Sequence, residues 1–125
     1  MAGRRMVVDG FEINDNSDTW VIAEIGQNHE GDVKKCMALF DSAKECGANA
    51  VKLQKRNNRA LYTKDMYAQA YNSENAYAAT YGEHREKLEF DRKQYVDLHQ
   101  YAKEIGITMF STAWARVTPG RETVA

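Results

Sequence analysis

Residues 20–54 carry the pattern that most limits how this chain can fold: an apolar strand, an amphipathic helix and a second apolar strand, joined by short connections. Residues 20–26 read as the first strand. Asp32 is suited to cap a helix bearing Val33, Cys36, Met37, Phe40 and Ala43 at helical spacing, and Gly47 to end it. Residues 49–54 alternate as a second strand, with Val51 and Leu53 on one side and Lys52 and Gln54 on the other. Two strands linked through a helix pair in parallel by a right-handed crossover, with the helix covering one face of the sheet. Lys52 and Gln54 then lie on the opposite face.

The same alternation sends Ala23 and Ile25 of the first strand one way and Glu24 the other. A carboxylate on an otherwise apolar strand is costly to bury without a cationic partner. Lys52, on the neighbouring strand, is that partner. Glu24, Lys52 and Gln54 would converge at the carboxyl ends of adjacent parallel strands, where ligands bind in such folds. The lysine can hold a phosphate or carboxylate as a point charge, and the glutamate can orient or exchange protons with an oxygen. Residue type alone leaves a second reading open, a buried ion pair that only satisfies two polar groups.

Around this unit the chain reads as follows. Residues 1–19 suggest a short hairpin, from MVV, FEI and the turn-rich NDNSD. Residues 55–90, rich in Tyr and Asn, are too long for an ordinary connection and predict an ordered excursion with short helical pieces. Asp91 opens a second helix with Tyr95, Leu98, Ala102 and Ile105 on one face, Gly106 closes it, and a third strand follows over 107–112. The expected architecture is α/β, β-α-β-α-β over residues 20–114. After Trp114 the pattern stops, and 115–125 read as a separate tail with a Pro-Gly pair.

Seventeen basic residues against eighteen acidic, with no extended basic run, argue against a nucleic-acid partner. No apolar segment approaches the roughly 20 residues needed to cross a bilayer, so the expectation is a cytoplasmic protein. Cys36 and Cys46 fall on one helix, about 15 Å apart along its axis, too far for a disulfide; both read as small buried hydrophobes. His29 reads as a hydrogen-bonding loop residue after the first strand, His84 and His99 as residues on solvated helix faces, and the tyrosines as packing groups. No metal site follows from these spacings, and phosphate-loop, nucleophile-elbow and zinc-ribbon motifs are absent.

Four blocks, AEIGQNHEGD, GANAVKLQKR, TYGEHREKLEF and GITMFSTAW, in this order and spacing, resemble the N-terminal part of the sialic acid synthase (N-acetylneuraminate synthase) family. The resemblance implies an incomplete N-terminal portion of a (β/α)8 TIM barrel, which in the family precedes a small antifreeze-like domain. It implies condensation of phosphoenolpyruvate with N-acetylmannosamine or a related sugar, with a divalent metal, Mn or Mg, as cofactor. Glu24 matches an acid placed near sugar and metal, Lys52 a lysine that binds phosphoenolpyruvate, and Gln54 an amide that contacts the amino sugar. The resemblance implies that the histidine metal ligands and the remaining strands belong to parts beyond this chain, and it implies a homodimer for the family. The expectation is therefore a truncated or frame-shifted, catalytically incompetent fragment. The alternatives are a synthase for legionaminic acid, pseudaminic acid or a spore-coat sugar, or a non-catalytic chain that acts by binding or pairing.

Overall fold

The computed structural model describes residues 3–115. An antiparallel hairpin comes first, β1 (Arg5–Val8) and β2 (Phe11–Asn14), turned by Asp9 and Gly10 at φ 48° and 82°. Two successive left-handed residues match the twist of a two-residue hairpin, and a glycine second is what makes the turn inexpensive. The turn is anchored to the main sheet, where the Thr108 hydroxyl donates to Asp9 Oδ2 at 2.7 Å.

The main sheet has three parallel strands in the order β3 (Ile22–Gly26), β4 (Ala50–Lys55), β5 (Thr108–Ala113). Helix α1 (Val33–Glu45) joins the first pair. The second pair is joined by a long excursion containing α2 (Asn58–Leu61), α3 (Lys64–Ala68) and α4 (Tyr81–Lys87), followed by α5 (Arg92–Ile105). Local chemistry accounts for the helix ends. Asp32 accepts the Lys35 N–H, Asp91 and Gln94 form a reciprocal capping box, and Gly106 closes α5 in the left-handed conformation at φ 71°.

The two long helices pack together on one face of the sheet. Phe40 and Cys36 of α1 and Tyr95, Leu98 and Ala102 of α5 meet Ile25, Val51 and Leu53 in one cluster. Burying side chains of this size contributes about 1.5–3 kcal/mol each. The opposite face is uncovered, with Ile22 44% and Phe110 37% exposed, and Lys52 paired in register with both Glu24 and Phe110. The alternation expected along β3 and β4 is thus the one observed.

Two expectations are corrected. Cys36 is fully buried but Cys46 is exposed, because it occupies the C-cap of α1 where the chain turns out of the helix. His84 is 6% exposed, not solvated: the rings of Tyr71, Tyr77 and Tyr81 surround it, and its Nδ1 accepts the Tyr77 N–H at 3.2 Å. His99 is half-buried. The tyrosines do act as packing groups, and the excursion is ordered, pinned by an antiparallel bridge between Ala70 and Thr80. Beyond Ala115, the tail expected at 115–125 lies outside the described residues.

Candidate functional site

The carboxyl edge of the sheet brings together the three residues singled out from the sequence. Glu24 and Lys52 are register partners on β3 and β4, and Lys52 Nζ stands 2.6 Å from Glu24 Oε2. The pair is not buried, contrary to the expectation for Glu24: the glutamate side chain is 46% exposed and the lysine 28%. The open face of the sheet leaves it in contact with solvent. Gln54 follows two residues along β4 and joins them through Gly26. At φ 59°, Gly26 sits in a register shift of β3, and a Cβ placed there would stand 3.5 Å from both Gln54 Nε2 and Glu24 Oε1 and 3.9 Å from Asn28 Nδ2. A glycine thus makes the irregular backbone accessible and leaves space between an amide and a carboxylate.

Beyond these three, the end of β4 enters a polar network that the sequence pattern does not reveal. Arg56 Nη2 donates to Gln54 Oε1 at 2.7 Å, its guanidinium lies 4.8 Å over the Trp114 ring, and its backbone N–H donates to Glu89 Oε2 at 3.1 Å. Glu89 also accepts from Gln27 Nε2 at 2.9 Å and pairs with Lys55 Nζ at 3.3 Å. Arg85 extends the chain of contacts from Gln27 Oε1 to the Tyr81 hydroxyl. Burial raises the Glu89 carboxyl above the usual carboxylate range, and the Arg56 N–H and Lys55 oppose that shift. The network ties the loop after β3 and the excursion to the edge where Gln54 lies. Its members come from segments far apart in the chain, so no local spacing announces it.

His29 is a structural group in this surround, as its loop reading anticipated. It is 2% exposed, stacks on Phe90 with ring centroids 4.0 Å apart, and its Nδ1 accepts the Gly31 N–H at 3.0 Å. Burial lowers its imidazole to about 4, so the ring is neutral at physiological pH. Among the described residues no three His, Cys, Asp or Glu side chains gather where they could hold a cation. A divalent metal takes several oxygen or nitrogen donors. With Glu24 engaged by Lys52 and His29 enclosed by Phe90 and Gly31, the described residues do not form a metal site by themselves.

The fold and the edge residues define a parallel α/β unit that carries a lysine, a carboxylate and an amide at the carboxyl ends of its strands. A family model described as the NeuB family matches residues 39–118, and the chain belongs to that family. N-acetylneuraminate-9-phosphate synthase of Mus musculus is 43% identical over 88 residues, 70% of this chain and 24% of that protein. N,N'-diacetyllegionaminic acid synthase of Legionella pneumophila is 32% identical over 114 residues, 90% of this chain and 32% of that protein. The crystal structure of N-acetylneuraminic acid (sialic acid) synthetase from Leptospira borgpetersenii, in complex with citrate, superposes with a TM-score of 0.69 at 23% identity, covering 90% of this chain and 35% of that one. At that identity the superposition establishes the fold alone. The chain spans about a quarter of the mouse protein and a third of the Legionella one.

Proposed function

We propose that this chain forms the first three strands of a (β/α)8 barrel in a synthase that condenses phosphoenolpyruvate with an N-acetylated amino sugar. The observation that carries the reading is the grouping of Glu24, Lys52 and Gln54 around Gly26 at the carboxyl edge. Lys52 would hold the phosphate or carboxylate of phosphoenolpyruvate by charge, and Gln54 would fix the amino sugar by hydrogen bonding. Glu24, ionised against Lys52 and so able only to accept, would hold a sugar hydroxyl by accepting its hydrogen bond. C3 of phosphoenolpyruvate bonds to the aldehyde carbon, whose oxygen takes up a proton to become a hydroxyl; water adds to the cation at C2 and gives up its protons as the C2–O–phosphate bond breaks, leaving a C2 keto group and inorganic phosphate. Five further strands would close the barrel and cover the open face that carries Ile22 and Phe110. A cytoplasmic location and a homodimeric assembly belong to the same reading.

The acceptor has two candidate classes. The mouse relative supports N-acetylmannosamine or its phosphate, and the Legionella relative, matched over 90% of this chain, supports a diacetamido sugar. A non-catalytic role in pairing with another chain rests on exposed Ile22, Phe110 and Trp114.

The test replaces the aligned segment of the mouse synthase with residues 20–114 of this chain and assays release of phosphate and formation of a nine-carbon acid from each acceptor. Condensation with one acceptor class is expected. A folded chimera that makes no product with any of them would overturn the reading. The 125-residue chain alone is expected to show no turnover, and measurable product from it would contradict the partial-barrel assignment.

A further inference from the structure

The Arg56–Gln54 contact has a chemical direction. A guanidinium carries only donors, so the Gln54 atom 2.7 Å from Arg56 Nη2 must be the amide oxygen. A flipped amide would set NH2 against NH2, two donors with no acceptor between them. The NH2 of Gln54 is thereby turned toward Gly26, the space it shares with Glu24 Oε1 and Asn28 Nδ2.

Arg56 is not a freely moving surface side chain. Its backbone N–H is fixed on Glu89, its guanidinium stacks on Trp114, and its Nη1 is buried without a hydrogen-bond partner among the described residues. Glu89 is itself held by Gln27 and Lys55. Holding a cation in this way costs rotamer freedom and leaves one donor unmatched. Fixing the direction of the Gln54 amide is what the arrangement achieves.

We propose that Arg56 is a positioning residue that locks the Gln54 amide with its NH2 toward the space beside Gly26, so that the site is set to bind the acyl carbonyl of an acylated amino sugar. The inference rests on the reading of Gln54 as the contact to the amino sugar. An acetamido group offers a carbonyl oxygen to the Gln54 NH2. The ammonium of the deacetylated sugar offers only donors and cannot pair with the Gln54 NH2; Glu24 Oε1, the carboxylate oxygen beside Gly26, is the group that could receive it. An analogue without the carbonyl leaves the Gln54 NH2 unpaired, and that lost contact is what the direction of the amide contributes to selectivity.

Two measurements test it. In the mouse chimera, kcat and KM are compared for N-acetylmannosamine and mannosamine in the parent, R56M and R56K. In R56M, selectivity for the acetylated sugar is expected to fall about tenfold, as for one lost hydrogen bond, through a raised KM for that sugar. The KM for phosphoenolpyruvate is expected to stay the same. R56K keeps a cationic donor group without the planar fork, so it should recover part of the selectivity. An active parent whose R56M variant keeps both its selectivity and its KM would overturn the proposal, as would an R56K no better than R56M. If the parent chimera is inactive, the functional reading fails. The lock is then read in the 125-residue chain, where the side-chain amide protons of Gln54 are followed by NMR. Distinct, slowly exchanging resonances that collapse in R56M support the lock, and resonances unchanged by R56M overturn it.

Discussion

Lys52 and Glu24 meet across β4 and β3 with Nζ 2.6 Å from Oε2, yet both side chains remain in part open to solvent. Exposed ion pairs contribute only about 0–1 kcal/mol to stability. Glu24→Gln and Lys52→Met are therefore expected to shift the urea unfolding free energy by less than about 1 kcal/mol. Lys52→Met is also expected to abolish phosphoenolpyruvate binding measured by calorimetry in the chimera. A destabilisation of several kcal/mol with binding intact would mark the pair as a structural bridge instead.

His29 makes the fold sensitive to acid. Its imidazole is lowered by burial from 6.5 to about 4, so between these values the unfolded chain binds a proton that the folded chain does not. Stability from this group is complete above pH 6.5 and falls as pH drops toward 4, by about 3 kcal/mol in total. Urea denaturation of the wild type and of His29→Gln at pH 7.5 and 4.5 checks this. The advantage of the wild type over the variant should shrink at the lower pH, and an advantage equal at both would contradict the assignment.

Gly31 holds the loop after β3 against the end of α4. Its φ is 77°, and a Cβ there would run into the Lys87 carbonyl oxygen, a backbone atom that cannot move aside without shifting the helix. Gly31→Ala should cost about 1–3 kcal/mol through overpacking and the left-handed backbone. Hydrogen exchange should quicken first in α4 and in the turn at 27–32. Protection unchanged in both would show that the close approach is not maintained in solution.

The two cysteines should react very differently with a thiol reagent such as Ellman's. Cys46 is exposed at the C-cap of α1, whereas Cys36 is fully buried and burial pushes its thiol up to about 12. One thiol is expected to react at once in native buffer and the second only on unfolding. Two fast thiols would mean that the core under α1 opens readily.

Much of the frame was legible because it is set by local chemistry. Asp32 and Asp91 cap helices with side chains that reach three residues ahead, Gly106 supplies the left-handed exit, and the period-two alternation of residues 50–54 assigns Val51 and Leu53 to the helices and Lys52 and Gln54 to the open face. Where burial depends on what a distant segment covers, reading the pattern failed. His84 sits on a short helix rich in charge, and only the return of Tyr71 and Tyr77 over it removes it from water. Cys46 follows Cys36 by ten residues, about 80° round the helix from it, and stands at the C-cap where α1 ends, so sharing a helix does not give it the same burial. Alternation likewise tells which face Glu24 takes but not what covers that face, and its exposure depends on the packing beyond the strand.

By itself the sequence determined the strand-helix-strand order, the helix ends and the face on which Glu24, Lys52 and Gln54 stand, since each depends on residues within a few positions of one another. Only the tertiary structure decided that Glu24 and Lys52 are in register, and that Gly26 opens a space beside them. It also decided that Arg56 donates to the Gln54 amide oxygen while Glu89, 33 residues further on, accepts the Arg56 backbone N–H. Those contacts join segments whose meeting depends on how helices and excursion pack over the sheet. Packing of that kind is set by long-range burial, which local spacing does not encode.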